Sequence, residues 1–319
     1  MAVLIMNYRF LPLLALLLSV GCSGNSSIPP AASEQNSSSQ PASTKSTQQA
    51  QRIVALTPLG ADLVYNLDKS KLVGVPGSTY IRKNQRFQSF PQVGERTGIN
   101  LEKIVALKPD LVIGTDVFQK QVLDKLNTMG IATLTHNTSS WADLEAFTKT
   151  VGDRVGSDPK PILNQYQSCL GNTKPVPQSV LVLASTKPLL SPNKNSWAGD
   201  LLQKFQFKSL TNDLQSNTEF KGYLSLSPEK VLEKDPDMIF IIDSERVNVE
   251  EFKKLPFWGK LRATKNNQVY VFHHDGLISP TGVDVVKEVC DQLRQVAEQQ
   301  ATKQSFKKPA IDSGLLGKL

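Results

Sequence analysis

The sequence predicts an α/β fold of two similar lobes with mainly parallel sheets, and three observations carry that prediction. The first is a phrase that occurs twice. Glu102-Lys103-Ile104-Val105-Ala106-Leu107-Lys108-Pro109-Asp110-Leu111-Val112-Ile113 returns as Glu229-Lys230-Val231-Leu232-Glu233-Lys234-Asp235-Pro236-Asp237-Met238-Ile239-Phe240, each pair 127 positions apart with no gap. Each copy reads as a short helix stopped by a Pro-Asp turn, because proline cannot continue a helix and disfavours α geometry in the residue before it. The second observation is that the runs after these turns are apolar at consecutive positions, as strands covered on both faces are. The third is the alternation of strand and helix patterns along the chain, which argues for parallel pairing. Two copies at domain-sized spacing imply two lobes, and lobes that face each other make a cleft.

The chain has 319 residues, enough for two lobes with their own cores. At its start, Arg9 precedes the apolar run Phe10 to Leu18, too short to span a bilayer comfortably and right for the core of a signal peptide. The run ends at Leu18-Ser19-Val20-Gly21-Cys22. Small residues before a cysteine resemble the bacterial lipoprotein processing site, which implies diacylation of Cys22; an ordinary secretory signal is the alternative. Either way the mature chain is expected to be exported, to the periplasm or the outer face of the cytoplasmic membrane. Residues 23–50 are almost all Ser, Gln, Asn, Pro, Thr and Ala, and read as a flexible tether.

Arg52-Ile53-Val54-Ala55-Leu56 reads as the first strand, ended by Thr57-Pro58-Leu59-Gly60, with helical spacing over 61–67. Leu72-Val73-Gly74-Val75 is the second strand, followed by a polar loop over 76–94. After the first repeat copy come a helix over 120–129, Gly130, and the strand Ile131-Ala132-Thr133-Leu134-Thr135. Residues 141–155 and 160–170 carry apolar side chains at a period near 3.6, so the alternation is interrupted once, by helix. Punctuation over 171–178 precedes Val180-Leu181-Val182-Leu183, which opens the second lobe. A helix over 197–205, a long polar loop to Gly222, the second repeat copy, the strand Val269 to Phe272 and a helix over 281–300 complete it. The expected organisation is a signal segment 1–22, tether 23–50, first lobe 51–155, connecting helix region 156–177, second lobe 178–300 and a polar, frayed tail 301–319.

The net charge is +7 and the pI about 9.2, but the lysines are scattered without a run that would mark a nucleic-acid arm, so no nucleic-acid partner is expected. Cys169 and Cys290 lie on amphipathic helical stretches and read as buried or half-buried single thiols; export leaves a disulfide permissible. No phosphate-cradling Gly-x-Gly-x-x-Gly or Gly-Lys-Ser/Thr phrase follows a strand, and no Gly-x-Ser-x-Gly elbow occurs. Asp62, Asp116 and Asp275 lack an evident partner with acid–base spacing. The chain reads as a receptor and not as an enzyme.

From Arg52 to about Val296 the chain resembles the substrate-binding proteins of ABC importers for iron–siderophores, cobalamin and haem. The phrases that carry this are Arg52 to Pro58, Leu72 to Val75, Asn100 to Ile113, Ser227 to Ile242, and Asn266-Asn267-Gln268-Val269-Tyr270-Val271. The resemblance implies two Rossmann-like lobes joined by one long backbone helix, a ligand held between them, a monomer, no cofactor, and an ABC permease as partner. It also implies docking through one acidic residue per lobe, and Glu102 and Glu229, which open the repeat copies, fall on those positions. The same glutamates would stabilise the first turns of their helices, behind the N-caps Asn100 and Ser227, with Pro228 at the first helical position.

Ligands of doubly wound sheets bind beyond the carboxyl ends of the strands. The candidates there are Pro58, Leu59, Tyr80, Arg96, Asp116, Lys194, Trp197, Tyr223 and His273. Tyr80 and Tyr223 match aromatic places of cobalamin-binding relatives. Arg96 stands where those relatives carry an aromatic, and with Arg82, Lys194 and Lys221 it favours an anionic ligand such as an iron(III)–siderophore chelate. A cobalamin or haem receptor, a metal-ion receptor and a ligand sensor are the alternatives. His136 and the His273-His274 pair follow strands, but adjacent histidines on an extended segment point to opposite sides, so no metal site is assigned.

Overall fold

The computed structural model describes residues 49–96, 98–244 and 249–307; the expected signal segment, Cys22 and nearly all of the tether lie outside the described residues. The first lobe holds β1 (Ile53–Ala55), α1 (Pro58–Asp68), β2 (Leu72–Gly74), α2 (Thr79–Lys83), β3 (Gly94–Glu95) and β4 (Gly98–Ile99). It continues with α3 (Leu101–Ala106), β5 (Leu111–Gly114), α4 (Asp116–Thr128) and β6 (Ala132–Thr135). Helices α5 (Trp141–Val155) and α6 (Lys160–Leu170) lead to the second lobe, which opens with β7 (Val176–Leu183), β8 (Ser185–Thr186), β9 (Leu189–Pro192), α7 (Trp197–Lys204) and β10 (Phe207–Ser209). Then follow β11 (Tyr223–Ser225), α8 (Pro228–Lys234), β12 (Met238–Asp243), α9 (Val249–Lys253), α10 (Arg262–Lys265), β13 (Val269–His273), α11 (His274–Leu277) and α12 (Val283–Lys307).

Each lobe is built on a four-stranded parallel sheet, ordered β2-β1-β5-β6 in the first and β10-β7-β12-β13 in the second. Among the described residues, antiparallel pairing is confined to the small sheets β3-β4 and β11-β9-β8. The central strands alternate with a period of two, as a pleated strand must. Ile53, Ala55, Leu111 and Ile113 face one core, while Val54 and Val112 face another with residues of α3 and α4. Val180, Val182, Met238, Phe240 and Ile242 enter the same core as Ile53, whereas Leu181, Leu183, Ile239 and Ile241 pack outward. One apolar core therefore runs from sheet to sheet, and each sheet keeps a second core of its own.

The repeat is legible in the backbone. Leu111 and Met238, like Ile113 and Phe240, turn inward to the shared core, and Val112 and Ile239 turn outward. Lys108 (φ 49°) and Asp235 (φ 34°) are left-handed at equivalent places, each just before the proline of its turn. The aspartate after that proline holds the lobe's central strand. Asp110 accepts from the Gln51 and Arg52 amides at 2.8 and 3.0 Å, and Asp237 accepts from the Ser179 amide at 2.9 Å and its hydroxyl at 2.8 Å. The Pro-Asp turn is thus a strand clamp, made once in each lobe.

Several local expectations are corrected. The connection between the sheets is two helices of 15 and 11 residues with a left-handed Gly156 (φ 77°) capping the first, where one long helix was expected. The polar stretch 76–94 contains α2, the 171–178 stretch already contains the start of β7, and the long loop before Gly222 begins with β10. Helix α12 runs on to Lys307, past the expected frayed end. Cys169 and Cys290 form a disulfide, with Cα atoms 5.7 Å apart, in place of the expected single thiols; it ties α6 to α12. No described helix is long and apolar enough to cross a membrane.

Candidate ligand cleft

The carboxyl ends of both sheets carry two different kinds of surface, a sealed junction between the lobes and an open rim. The junction centres on Asp62. It lies on α1 among Leu59, Ala61, Leu63 and Val64, and its side chain is fully buried. Its carboxylate accepts from the Val283 amide at the start of α12 (2.8 Å), from Arg86 Nη2 (2.8 Å), from Asn66 Nδ2 (3.0 Å) and from the Tyr80 hydroxyl (3.2 Å). Arg86 also reaches Asp284, at 3.4 Å. Burial raises the Asp62 pKa above the ordinary carboxylate range, against the Val283 amide and Arg86, which lower it. Gly282 completes the fit, since a Cβ there would meet the Tyr80 hydroxyl and come within 3.1 Å of the Asp62 carboxyl carbon.

Tyr80 therefore points its hydroxyl into this junction and its ring toward Phe87; burial and the Asp62 charge raise its pKa. Trp197 is placed likewise. It is 2% exposed, stacks on Trp141 at 5.8 Å with an interplanar angle of 11°, and donates from Nε1 to the Gly276 carbonyl at 2.7 Å. Leu59 is buried in the shared core beneath a half-buried Pro58. Two candidates, Leu59 and Trp197, are thus occupied by packing and offer no face to a ligand here.

His136 follows β6 and is also committed. Its ring stacks on Phe147 at 3.9 Å, Nε2 shares a hydrogen bond with Thr57 Oγ1 (2.9 Å), and Nδ1 shares one with Thr138 Oγ1 (3.1 Å). Burial lowers its pKa to about 4, so it is neutral at pH 7. His273 and His274 are exposed, and His274 lies 3.6 Å from Asp275. Among the described residues no three His, Cys, Asp or Glu side chains converge as a metal site.

The rim is made of the remaining residues. After β5, Thr115 caps α4 and leaves Asp116, Val117 and Phe118 exposed, Val117 at 61% and Phe118 at 44%. The Arg96 guanidinium lies 4.4 Å from the Phe118 ring centroid. In the second lobe, Lys194 is exposed and paired with Asp213 at 3.0 Å, and Tyr223 is half-buried opposite Pro192, burial raising the pKa of its phenol. The loop leaving β10 exposes Leu214 and Phe220. Sequence reasoning left out Asp62 as a structural centre, and Leu214 and Phe220 as rim residues. A carboxylate in the middle of an apolar helical face was the one available signal for Asp62.

Glu102 and Glu229 are exposed in the first turns of α3 and α8. Asn100 caps the first helix by accepting from the Lys103 amide (2.9 Å), and Ser227 caps the second by accepting from the Lys230 amide (3.3 Å). Hydrogen bonding to Ser227 lowers the Glu229 pKa.

Comparison with known proteins places this architecture. The profile of the periplasmic binding protein family matches residues 53–275. The vitamin B12-binding protein of Vibrio cholerae is 25% identical over 264 residues, covering 79% of this chain and 91% of the relative. The Fe(3+)-citrate-binding protein YfmC of Bacillus subtilis is 27% identical over 192 residues, 57% of this chain and 59% of the relative. The crystal structure of Staphylococcus aureus IsdE complexed with heme shares the fold, with a TM-score of 0.62 and 21% identity over 77% of this chain and 98% of that one.

Proposed function

The chain belongs to the periplasmic binding protein family, and from that membership we propose that it is the substrate-binding protein of an ABC importer that captures an iron(III)–siderophore-type chelate between its lobes. The observation that carries this reading is the pair of exposed glutamates, Glu102 and Glu229, at matching helix starts of two lobes whose carboxyl edges carry an exposed arginine and aromatic rings. The domain organisation proposed is a first lobe over 51–155, a connecting region over 156–177 and a second lobe over 178–300. Export and a lipid anchor on Cys22 are part of the proposal, supported by the apolar run and small residues that precede that cysteine.

The sequence of events is physical. The anchored tether lets the body search near the membrane. The cleft takes up the chelate with small lobe movements, because a continuous apolar core, the Asp62 network and the disulfide between α6 and α12 all resist hinge opening. Glu102 and Glu229 then engage a permease, which releases the ligand at the expense of ATP hydrolysed elsewhere. Nothing in this cycle asks the protein to catalyse a reaction, and its partners are a small chelate, a permease and a membrane.

A corrinoid is the second reading, favoured by the relative from Vibrio cholerae, of which this chain covers 91%. Titration of intrinsic tryptophan fluorescence with ferric siderophores, cyanocobalamin and haem separates the two. Binding of none of them at micromolar concentration would sink the chelate reading. Loss of uptake in a deletion strain is expected; normal uptake with lost signalling would make the protein a sensor.

A further inference from the structure

We propose that the amino edges of the two parallel sheets form one basic face that rests on an anionic lipid bilayer; this uses the membrane-side placement proposed above and no property of the ligand. The lysines are scattered along the sequence, but the fold collects them. In the four residues before each of the eight parallel strands, seven lysines and Arg52 stand against four aspartates. In the four residues after each strand, the described residues hold Lys187 against Asp116, Asp213 and Asp275. Residues that lead into a strand stand at its amino end, so the two edges of the sheets differ in sign. Helix carboxyl ends, which favour cations, close on the amino edge as well.

The two amino edges are neighbours. Helices α5 and α7 start together, where Asp200 accepts from the Trp141 amide at 2.7 Å and Trp141 stacks on Trp197. Each then runs to the amino end of its own sheet. The Val155 carbonyl at the end of α5 accepts from Lys71 Nζ at 2.6 Å, directly before β2. The Lys204 carbonyl at the end of α7 accepts from Thr173 Oγ1 at 3.2 Å, just before β7. Helix α6, about 16 Å long, joins these two places. Around it Lys69, Lys108, Lys174, Lys204, Lys265 and Lys303 are exposed, and none is in an ion pair with a described residue. Lys303 belongs here because it donates to Gln268, directly before β13, at 2.9 Å.

The acids of this edge are turned to the fold. Asp68 accepts from the Ser70 amide at 3.0 Å, Asp110 and Asp237 hold the strand clamps, and Asp235 pairs with Arg262 at 2.8 Å. The lysines reach beyond them on long stems, as a plane of lipid phosphates requires. The chain also enters the described fold at this edge: the Ala50 amide donates to the Arg154 carbonyl at 2.8 Å, and Gln51-Arg52 lead into β1. A tether anchored at Cys22 would therefore draw the basic edge toward the bilayer. So held, the carboxyl edges, where a ligand is expected, face away from the membrane. Delivery to a permease then requires release and rotation within the tether's reach, about 30 Å for a chain of that composition.

The test is co-sedimentation of the full chain with vesicles of phosphatidylcholine alone and of a two-to-one mixture with phosphatidylglycerol. The apolar run over 10–18 acts alike on both, so the difference between them reads charge. The wild type is expected to prefer the anionic vesicles, and high salt should erase the preference. A lysine at such a surface is worth about fivefold in binding, so K69Q/K174Q/K204Q/K265Q should lose about a hundredfold or more. K120Q/K230Q/K253Q/K287Q removes the same charge from lysines that are ion-paired elsewhere, and should stay within a few-fold of the wild type. Thermal melts report that both variants fold. Equal binding of the wild type to both vesicles, or equal losses in the two variants, would overturn the basic face. Preference for anionic vesicles by a wild type that binds no chelate would uphold it while the receptor reading fails.

Discussion

Two arginines ten positions apart divide the molecule into its junction and its rim. Arg86 and Arg96 both lie over aromatic rings, Arg86 at 5.4 Å from Tyr65 and 5.6 Å from Phe87, Arg96 at 4.4 Å from Phe118. Arg86 is nonetheless used up: it is paired with a buried Asp62 and with Asp284, and it holds the lobes against each other. Arg96 is exposed, and no described residue takes its donors. Residue type and ring stacking are therefore poor guides to role. What separates a cation spent on structure from one still open is whether its hydrogen-bonding capacity is already satisfied.

The sharpest way to break that contrast is at its buried end. Asp62→Ala removes the acceptor for Arg86, Tyr80, Asn66 and the Val283 amide at a site with no solvent exposure. Removing one member of a buried ion pair costs about 3–5 kcal/mol, which a urea melt reads directly. A loss as small as that of an exposed variant such as R96Q would mean the junction is not what holds the lobes. The disulfide comes next. Replacing Cys169 and Cys290 by alanine removes a bridge between residues 121 positions apart, for an expected loss of about 2–4 kcal/mol, the usual range for a disulfide. An unchanged denaturation midpoint would show that packing between α6 and α12 suffices without it.

Acid should loosen the molecule through His136. An unfolded histidine titrates near pH 6.5, and burial lowers this one to about 4 in the fold. As pH falls the unfolded chain takes the proton first, so stability is complete above pH 6.5 and is lost progressively down to pH 4. The loss is about 2 kcal/mol by pH 5. Asp62, whose pKa is raised, acts in the opposite sense over acidic pH. The difference between wild type and His136→Gln isolates the histidine, and parallel stability–pH curves for the two proteins would contradict its assignment.

The same contrast explains what the sequence revealed and what it hid. Consecutive apolar runs located β1, β5, β7 and β12, and the helical period gave the bounds of α5 and α6. The repeat extended to details that no propensity contains, such as the left-handed Lys108 and Asp235. Short polar strands escaped, because β10 and the β8-β9 hairpin owe their existence to pairing with neighbours and not to their own residues. Position after a strand identified the carboxyl edge, yet Trp197 and Leu59 proved to be packed there. A strand end leads equally to junction or rim, and the deciding partners, Trp141 for Trp197 and Asp62 for Tyr80, come from distant segments.

The smallest effect on stability is expected where the effect on function is largest. Glu102 and Glu229 are exposed in the first turns of their helices, where a carboxylate complements the helix dipole, and Glu229 also bonds Ser227. Charge reversal at both, Glu102→Lys with Glu229→Lys, should therefore lower the melting temperature slightly and leave ligand affinity in fluorescence titration unchanged. Uptake in cells should be abolished, because a permease surface that receives one negative charge from each lobe would meet positive charge in both. The single reversals test whether two contacts are needed: a partial loss from each would mean that the lobes dock independently. Ligand affinity falling together with uptake would instead place the glutamates in the cleft, and the division between rim and docking surface would have to be redrawn.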